Sequence, residues 1–177
     1  MSTPAVRLPG GRSADPGEFR KVMGLFPTGV TVVTAGRGER TEAVTASAVA
    51  SISLDPPLVL VSLRAAGRLP TAIDGAGGFA VNVLAADQER LSALFAARDR
   101  PRGVAALERL GGTVGASGHV VLPSAVLSLE CRTEHRYPGG DHVLFLGRVL
   151  AVHAAEPVKA PLVHHRGAYH RLHHLSD

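Results

Sequence analysis

The segment 45–57, with the sequence TASAVASISLDPP, carries four small hydroxyl side chains at odd-numbered positions. They are Thr45, Ser47, Ser51 and Ser53. Successive side chains of an extended chain point to opposite faces, so these hydroxyls would line one face of a strand. A row of small hydrogen-bonding groups on a strand can bind a polar ligand. The alternative is an ordinary strand face that is turned to solvent or to a neighbouring strand.

The motif GGDH at residues 139–142 is the second candidate for chemistry. His142 can hydrogen-bond a ligand, whereas Gly-Gly-Asp before it is also typical of a turn that simply precedes a strand. Asp141 and His142 are not expected to form part of a hydrolase triad. Neighbouring residues on a strand face opposite ways, and the sequence contains no GxSxG motif.

Three other patterns indicate structural roles and not catalytic, dinucleotide-binding or metal-binding ones. Cys131 lies in an alternating apolar segment and is interpreted as a core residue. The sequence GRGERT from Gly36 lacks the third glycine of a dinucleotide-binding fingerprint and predicts a hairpin turn. The C-terminal histidines match no standard zinc spacing, so we expect no metal site; they are His164, His165, His170, His173 and His174.

Composition narrows the function classes. The chain has 177 residues, of which 45% are hydrophobic, and predicts a flexible arm at 1–14 followed by one domain at 15–177. The net charge is only +4, and RDRPRG at 98–103 is the one dense basic cluster, interpreted as a solvated face. We therefore expect no nucleic-acid partner. The absence of a signal pattern or a long apolar run indicates no membrane insertion, and a single cysteine fits a reducing cytoplasm.

The elements that must position these residues are mostly strands. Asp15, Pro16 and Glu18 predict the start of a helix whose apolar face carries Phe19, Val22, Met23 and Phe26, and Pro27 ends it. Strands are predicted at 29–35, 43–54, 58–63, 79–84, 125–136, 142–154 and 162–172, with short helices at 69–73, 87–97 and 104–110. Without regular alternation of strand and helix, this order favours a mainly β fold, an antiparallel barrel.

Five ordered segments resemble the flavin reductase-like family of FMN-binding split barrels. They read FRKVMGLFPTGVTVVTA, VTASAVASISLDPPLVLVSL, GGFAVNVL, LSLECRTEHRYPGGDHVLFLGRVLAV and PLVHHRGAYHRL. The resemblance spans about residues 19–172. It implies an antiparallel split β-barrel and a homodimeric NAD(P)H:flavin oxidoreductase that uses FMN or FAD with NADH or NADPH. Many members supply reduced flavin to a separate monooxygenase.

The resemblance also implies which residues contact the ligands. Those matching flavin contacts are Gly29, Val30, Thr31, Thr45, Ala46, Ser47, Ser51, Ser53, Ser62, Leu63, Gly78 and Phe79. Gly140 and Asp141 match residues that border the nicotinamide, and His142 matches the histidine that contacts the dinucleotide. Tyr169 matches an aromatic residue near the active site in some members, although a core tyrosine is an equal alternative.

The chain departs from the family pattern in its phosphate pocket. Gly67 and Leu69 stand where relatives usually carry small hydroxyl residues, and Arg68 between them could supply the charge that a phosphate needs. The alternatives in function are a flavin- or haem-binding module without turnover and a deazaflavin-dependent relative. Asn82, which lies among apolar neighbours, is interpreted as a hydrogen-bonded structural amide.

Overall fold

The computed structural model describes residues 14–172. The helices are α1 Pro16–Met23, α2 Arg68–Ala76, α3 Glu89–Ala96 and α4 Gly103–Leu110, with a 3-10 turn at Gly38–Arg40. The strands are β1 Thr28–Gly29, β2 Thr31–Ala35, β3 Glu42–Ala46, β4 Val49–Leu54, β5 Pro57–Arg64, β6 Gly78–Val83, β7 Thr113–Val114, β8 Val120–Val121, β9 Leu127–Gly139, β10 His142–Ala154, β11 Leu162–His165 and β12 Ala168–Arg171.

Seven of these strands form one antiparallel sheet in the order β3-β2-β6-β9-β10-β5-β4. The two edge strands, β3 and β4, follow each other in sequence and are joined only by Ser47 and Ala48. A two-residue link cannot span a flat sheet of seven strands, so the sheet curls until its edges meet. No ladder of hydrogen bonds joins β3 to β4 in the described chain, which leaves the barrel split along this line.

Two apolar cores fill the fold, and β2 contributes to both because its alternate side chains face opposite ways. Val33 packs into the first core with Phe79 and Phe145, and α2 adds Leu69 and Ile73 to it. The second core is lined by residues of β2, α3, α4 and β11, namely Val32, Phe95, Leu110 and Leu162 among others. The first core fixes α2 against the barrel wall, beside the end of β3.

The largest correction concerns the strand predicted at 43–54. It is two strands, β3 and β4, which lie at opposite edges of the sheet. The four hydroxyls therefore do not share one face: Thr45 is in β3, Ser47 is in the link, and the pairing of β4 with β5 shifts register between Ser51 and Ser53. Alternation along the chain indicates an extended backbone, but it does not reveal where that backbone changes partners.

Two further predictions need correction. The strand predicted at 162–172 is a hairpin of β11 and β12 that turns at Arg166 and Gly167, both with positive φ. The strand predicted at 29–35 is also interrupted, because β1 pairs with β11 in a separate three-stranded sheet. The other predicted strands and the three later helices are confirmed to within a few residues at their ends.

The first helix begins as predicted, with the Asp15 carboxylate accepting hydrogen bonds from the N–H groups of Gly17 and Glu18. It ends at Met23, before Pro27, and it buries none of its residues. Its apolar face is exposed, which the helical spacing did not predict. The arm predicted at 1–14 lies outside the described residues except for Ala14, as do His173 and His174. The division into arm and domain stays a prediction.

The interpretations of two buried residues, Asn82 and Cys131, are confirmed. Asn82 is fully buried and makes four hydrogen bonds, to Val32, Val120, Leu122 and Ser128. Cys131 is a buried free thiol, and burial raises its pKa to about 12. Among residues 14–172 no helix is long and apolar enough to cross a bilayer. The same part of the chain contains no group of three potential His, Cys, Asp or Glu ligands for a metal ion.

Candidate active site

A groove of about 560 Å³ opens beside the link between the two sheet edges. Its volume lies in the range of small-molecule sites. Its walls come from β3, the end of β5, the start of α2, the chain after α3 and the start of β10. The lining residues are Val44, Thr45, Ala46, Ser47, Ala48, Ser62, Leu63, Arg64, Gly67, Leu69, Pro70, Ala96, Ala97, Arg98, Arg100 and His142.

Six of the residues implied by the family resemblance meet in this groove. They are Thr45, Ala46, Ser47, Ser62, Leu63 and His142. Antiparallel pairing of β5 with β10 explains how the last three meet, since it places His142 opposite Arg64 and Leu63 opposite Val143. The curl of the sheet then brings β3 to the same place. Residues separated by almost a hundred positions thus share one surface.

Small side chains give the groove room for a flat ligand. Ala46, Ser47, Ala48 and Gly67 all line it, and the largest of these side chains, that of Ser47, has only one heavy atom beyond Cβ. Gly67 is also constrained by space, because a Cβ at this position would lie 3.0 Å from the carbonyl oxygen of Arg64. A ring system can therefore approach the backbone closely here.

The hydroxyl of Thr45 is committed to structure although it lines the groove. Thr45 Oγ1 donates a 2.7 Å hydrogen bond to the carbonyl oxygen of Ser92, in α3. Ser92 Oγ in turn lies 2.8 Å from the phenol oxygen of Tyr169. Tyr169 therefore supports the groove from behind, through Ser92, and does not line it. Of the hydroxyls proposed for binding, those of Ser47 and Ser62 line the groove without such a bond in the described chain.

His142 and Asp141 contact each other at the mouth of the groove. His142 Nδ1 lies 2.7 Å from Asp141 Oδ1, and this hydrogen bond lowers the pKa of the Asp141 carboxyl. The expectation that the two side chains point apart is wrong, because Asp141 belongs to the turn after β9 and not to a strand. Gly140 has φ +72° in the same turn. Asp141 orients the imidazole, whose other ring nitrogen can form a further hydrogen bond.

Three arginines that the sequence did not predict line the groove. Arg64 lies at the end of β5, and Arg98 and Arg100 lie in the chain after α3. Arg100 Nε donates to the carbonyl oxygen of Ala43 at 2.9 Å, which ties this chain to β3. Burial, together with the charge of Arg68, lowers the pKa of Arg100. The signal in the sequence for Arg98 and Arg100 is the cluster RDRPRG, for which a solvated basic face is the expectation.

Arg68 does not line the groove, and its expected contact with a flavin phosphate stays a prediction. Its Nε lies 3.0 Å from both carboxylate oxygens of Glu42, and its Nη2 donates to the carbonyl oxygen of Arg100. The half-buried carboxylate of Glu42 needs a partner, and Arg68 is the guanidinium within reach. Leu69, the second departure from the family pattern, is almost fully buried in the first core.

The remaining predicted contacts also lie away from the groove. Val30, Thr31 and Phe79 are buried, and Thr31 Oγ1 donates to the carbonyl oxygen of Ala46. Gly78 allows β6 to approach β9, since a Cβ there would lie 2.3 Å from the carbonyl oxygen of Cys131. Gly29 lies in β1 and pairs with Val163, while Ser51 and Ser53 lie on the edge strand β4. Within one chain these residues do not line the groove.

Comparison with known proteins identifies the family of this chain. Residues 23–173 match the family described as flavin reductase like domain. The NADH-dependent FMN reductase AsuE2 of Streptomyces nodosus subsp. asukaensis is 64% identical to this chain over 97% of it and 98% of the relative. The FMN reductase (NADH) SmoA of Agrobacterium fabrum is 38% identical over 97% of this chain and 94% of its own.

Two solved structures share the fold. BorF, the flavin reductase component of a bacterial two-component tryptophan halogenase, superposes with a TM-score of 0.83 at 38% identity and covers 89% of this chain and 98% of its own. The Streptomyces globisporus C-1027 NADH:FAD oxidoreductase SgcE6, in complex with NAD and FAD fragments, superposes with a TM-score of 0.83 at 34% identity. The match covers 94% of this chain and 100% of the SgcE6 chain. The chain belongs to the flavin reductase-like family.

Proposed function

We propose that this protein is an NADH-dependent flavin reductase that passes a hydride from NADH to FMN or FAD and delivers the reduced flavin to a separate monooxygenase. One observation carries the proposal: the fold gathers Ser47, Ser62, His142 and three arginines around a single groove of about 560 Å³. The family membership and the relative that is 64% identical support the reaction and favour NADH over NADPH.

The residues present fit a flavin. The run of small side chains at 46–48 leaves space for a flat ring, and the hydroxyls of Ser47 and Ser62 can hydrogen-bond its polar edge. Arg98 and Arg100 supply positive charge for a phosphate group, in place of Arg68. The groove thus offers a ring surface and a phosphate site, the two features that FMN and FAD share.

The protein contributes orientation rather than covalent or acid-base catalysis. When both are bound, the nicotinamide C4 supplies a hydride to N5 of the flavin. His142, held by Asp141, hydrogen-bonds the dinucleotide and limits its orientation over the groove. The apolar side chains of Leu63 and Leu69 exclude water from one wall. No buried acid or base of the groove is required for this transfer.

Steady-state oxidation of NADH with and without added FMN or FAD tests the proposal. We expect NADH oxidation to depend on added flavin, with NADPH a poorer donor. A protein that binds flavin but does not oxidise either dinucleotide would be a binding module instead. Coupling the assay to a flavin-dependent monooxygenase, kept physically separate by a dialysis membrane, then tests whether the reduced flavin leaves the protein.

We also propose a homodimer and a cytoplasmic location. Supporting the dimer, the apolar residues of α1 and of the chain just after it have no cover in the described chain: Phe19 is 60% and Phe26 is 65% exposed, and Val22, Met23 and Leu25 are exposed as well. Exposed apolar surface of this kind is typical of an interface. The use of NADH and a single cysteine, the buried free thiol of Cys131, support the location.

A further inference from the structure

A second cavity of about 590 Å³ lies between the β2–β3 hairpin, α2 and the residues before β8. It shares no lining residue with the flavin groove. Arg68 lines this second cavity, and the carbonyl that it binds belongs to Arg100, which lines the groove. The two cavities are therefore neighbours with a common wall, and each has a volume that suits a small molecule.

The second cavity carries uncompensated positive charge. Arg37, Arg40 and Arg68 line it together with one carboxylate, that of Glu42. Arg68 already holds both oxygens of Glu42 at 3.0 Å, so this pair is close to neutral. In residues 14–172 no carboxylate lies within 4.0 Å of the guanidinium of Arg37 or Arg40. Two guanidinium groups therefore remain for a ligand.

The wall formed by 117–119 adds polar groups and lies beside one of the arginines. A Cβ built on Gly118 would lie 3.5 Å from Cζ of Arg37, which is van der Waals contact. His119 is 5% exposed, and its Nδ1 has no hydrogen-bond partner in the described chain. Burial lowers the pKa of His119, so its imidazole is a neutral hydrogen-bonding group near pH 7.

We propose that this cavity, lined by Arg37, Arg40, Thr71 and His119, is a second small-molecule site that binds a phosphate-bearing ligand the size of a nucleoside monophosphate. A guanidinium group can donate two parallel hydrogen bonds to two oxygens of one phosphate. The opposite wall consists of Ala72, Gly75 and Ala76, small residues against which a ring can lie. The site is independent of the groove that holds the flavin.

Calorimetric titration of the full-length protein, previously saturated with FMN, tests the proposal with AMP, adenosine and inorganic phosphate as probes. We expect one AMP per chain to bind, inorganic phosphate to compete with it, and adenosine to bind at least about tenfold more weakly because it lacks the phosphate. The variant Arg37→Gln with Arg40→Gln should weaken AMP binding by about tenfold or more. Thr71→Tyr, which fills the cavity without changing its charge, should do the same.

The matched control is Arg109→Gln, which removes an exposed arginine of α4 that lines neither cavity. It should leave AMP binding unchanged, and all the variants should retain the circular dichroism spectrum and the FMN affinity of the parent. An equal loss of AMP binding in Arg109→Gln would mean that the loss in the double variant reflects the net charge of the protein and not contacts in the cavity. Displacement of AMP by FMN, or no saturable binding of AMP, would overturn the second site.

Discussion

His142 Nδ1 lies 2.7 Å from Asp141 Oδ1, in the turn that joins the two longest strands of the sheet. The contact fixes the imidazole ring at the mouth of the groove, opposite Arg64 across the β5–β10 pair. Because Asp141 is largely exposed, this hydrogen bond adds little to stability. Its effect is to orient a ring that would otherwise rotate freely.

The first prediction concerns that ring. His142→Ala should lower the rate of flavin reduction by NADH by about ten- to a hundredfold, which is about 1.4 to 2.7 kcal/mol of transition-state binding, and leave flavin affinity nearly intact. Stopped-flow reduction of the flavin-loaded protein measures this rate. The control is His135→Ala, an exposed histidine of β9 outside the groove. An unchanged rate would make His142 an ordinary residue at a strand start, and an equal loss of flavin binding would make it part of the flavin pocket.

Arg98 is predicted to bind the flavin phosphate. Arg98→Ala should raise the Kd for FMN by about tenfold and leave the Kd for riboflavin, which has no phosphate, unchanged. Fluorescence titration with the two flavins makes the comparison within one variant. Arg109→Ala serves as the control for loss of charge. If both flavins weaken equally in Arg98→Ala, the side chain shapes the ring site and does not contact the phosphate.

The apolar face of α1 is predicted to form the dimer contact. Sedimentation equilibrium should give a mass of about 37 kDa, twice the 18.4 kDa of the chain. Phe19→Asp should shift the mass toward that of one chain, because it buries a charge in the interface. Lys21→Asp, on the opposite face of the same helix, should not. A fully active monomer of the unaltered chain would remove the dimer proposal.

Glu130 is predicted to make stability depend on pH between about 2 and 4.5. Burial raises the pKa of Glu130, but hydrogen bonds from Ser117, His153 and Ala116 outweigh it and lower the pKa to about 2 from 4.5. A carboxyl group whose pKa is lowered by folding stabilises the folded state fully when the pH is above its pKa in the unfolded chain. This stabilisation is lost as the pH falls through its pKa in the folded state. The loss should be roughly 3 kcal/mol.

Urea unfolding at a series of pH values tests this link. In Glu130→Gln the free energy of unfolding should no longer fall with pH over this range. In Glu108→Gln, which changes an exposed position of α4, the fall should remain. An unaltered slope in Glu130→Gln would assign the acid sensitivity to other carboxyl groups.

Local patterns in the sequence were enough to predict much of the sheet. Alternating apolar residues and the turn residues of GGDH place β9, the turn and β10 where the structure has them. Asn82 among apolar neighbours had to find hydrogen bonds, because an unpaired buried amide is costly. Six groove residues were also predicted, through resemblance to a family whose segments keep their order. In each case the determining interactions are local or are repeated throughout a family.

Only the tertiary structure decided where the segment 43–54 divides and which arginines reach the groove. The break at Ser47 and Ala48 exists because β3 and β4 pair with different strands, and such pairing is a long-range contact that alternation does not encode. Arg68 has a long flexible side chain, so its direction depends on which carboxylate lies within reach. That partner is Glu42, which lies 26 positions earlier in the chain and is brought close by folding.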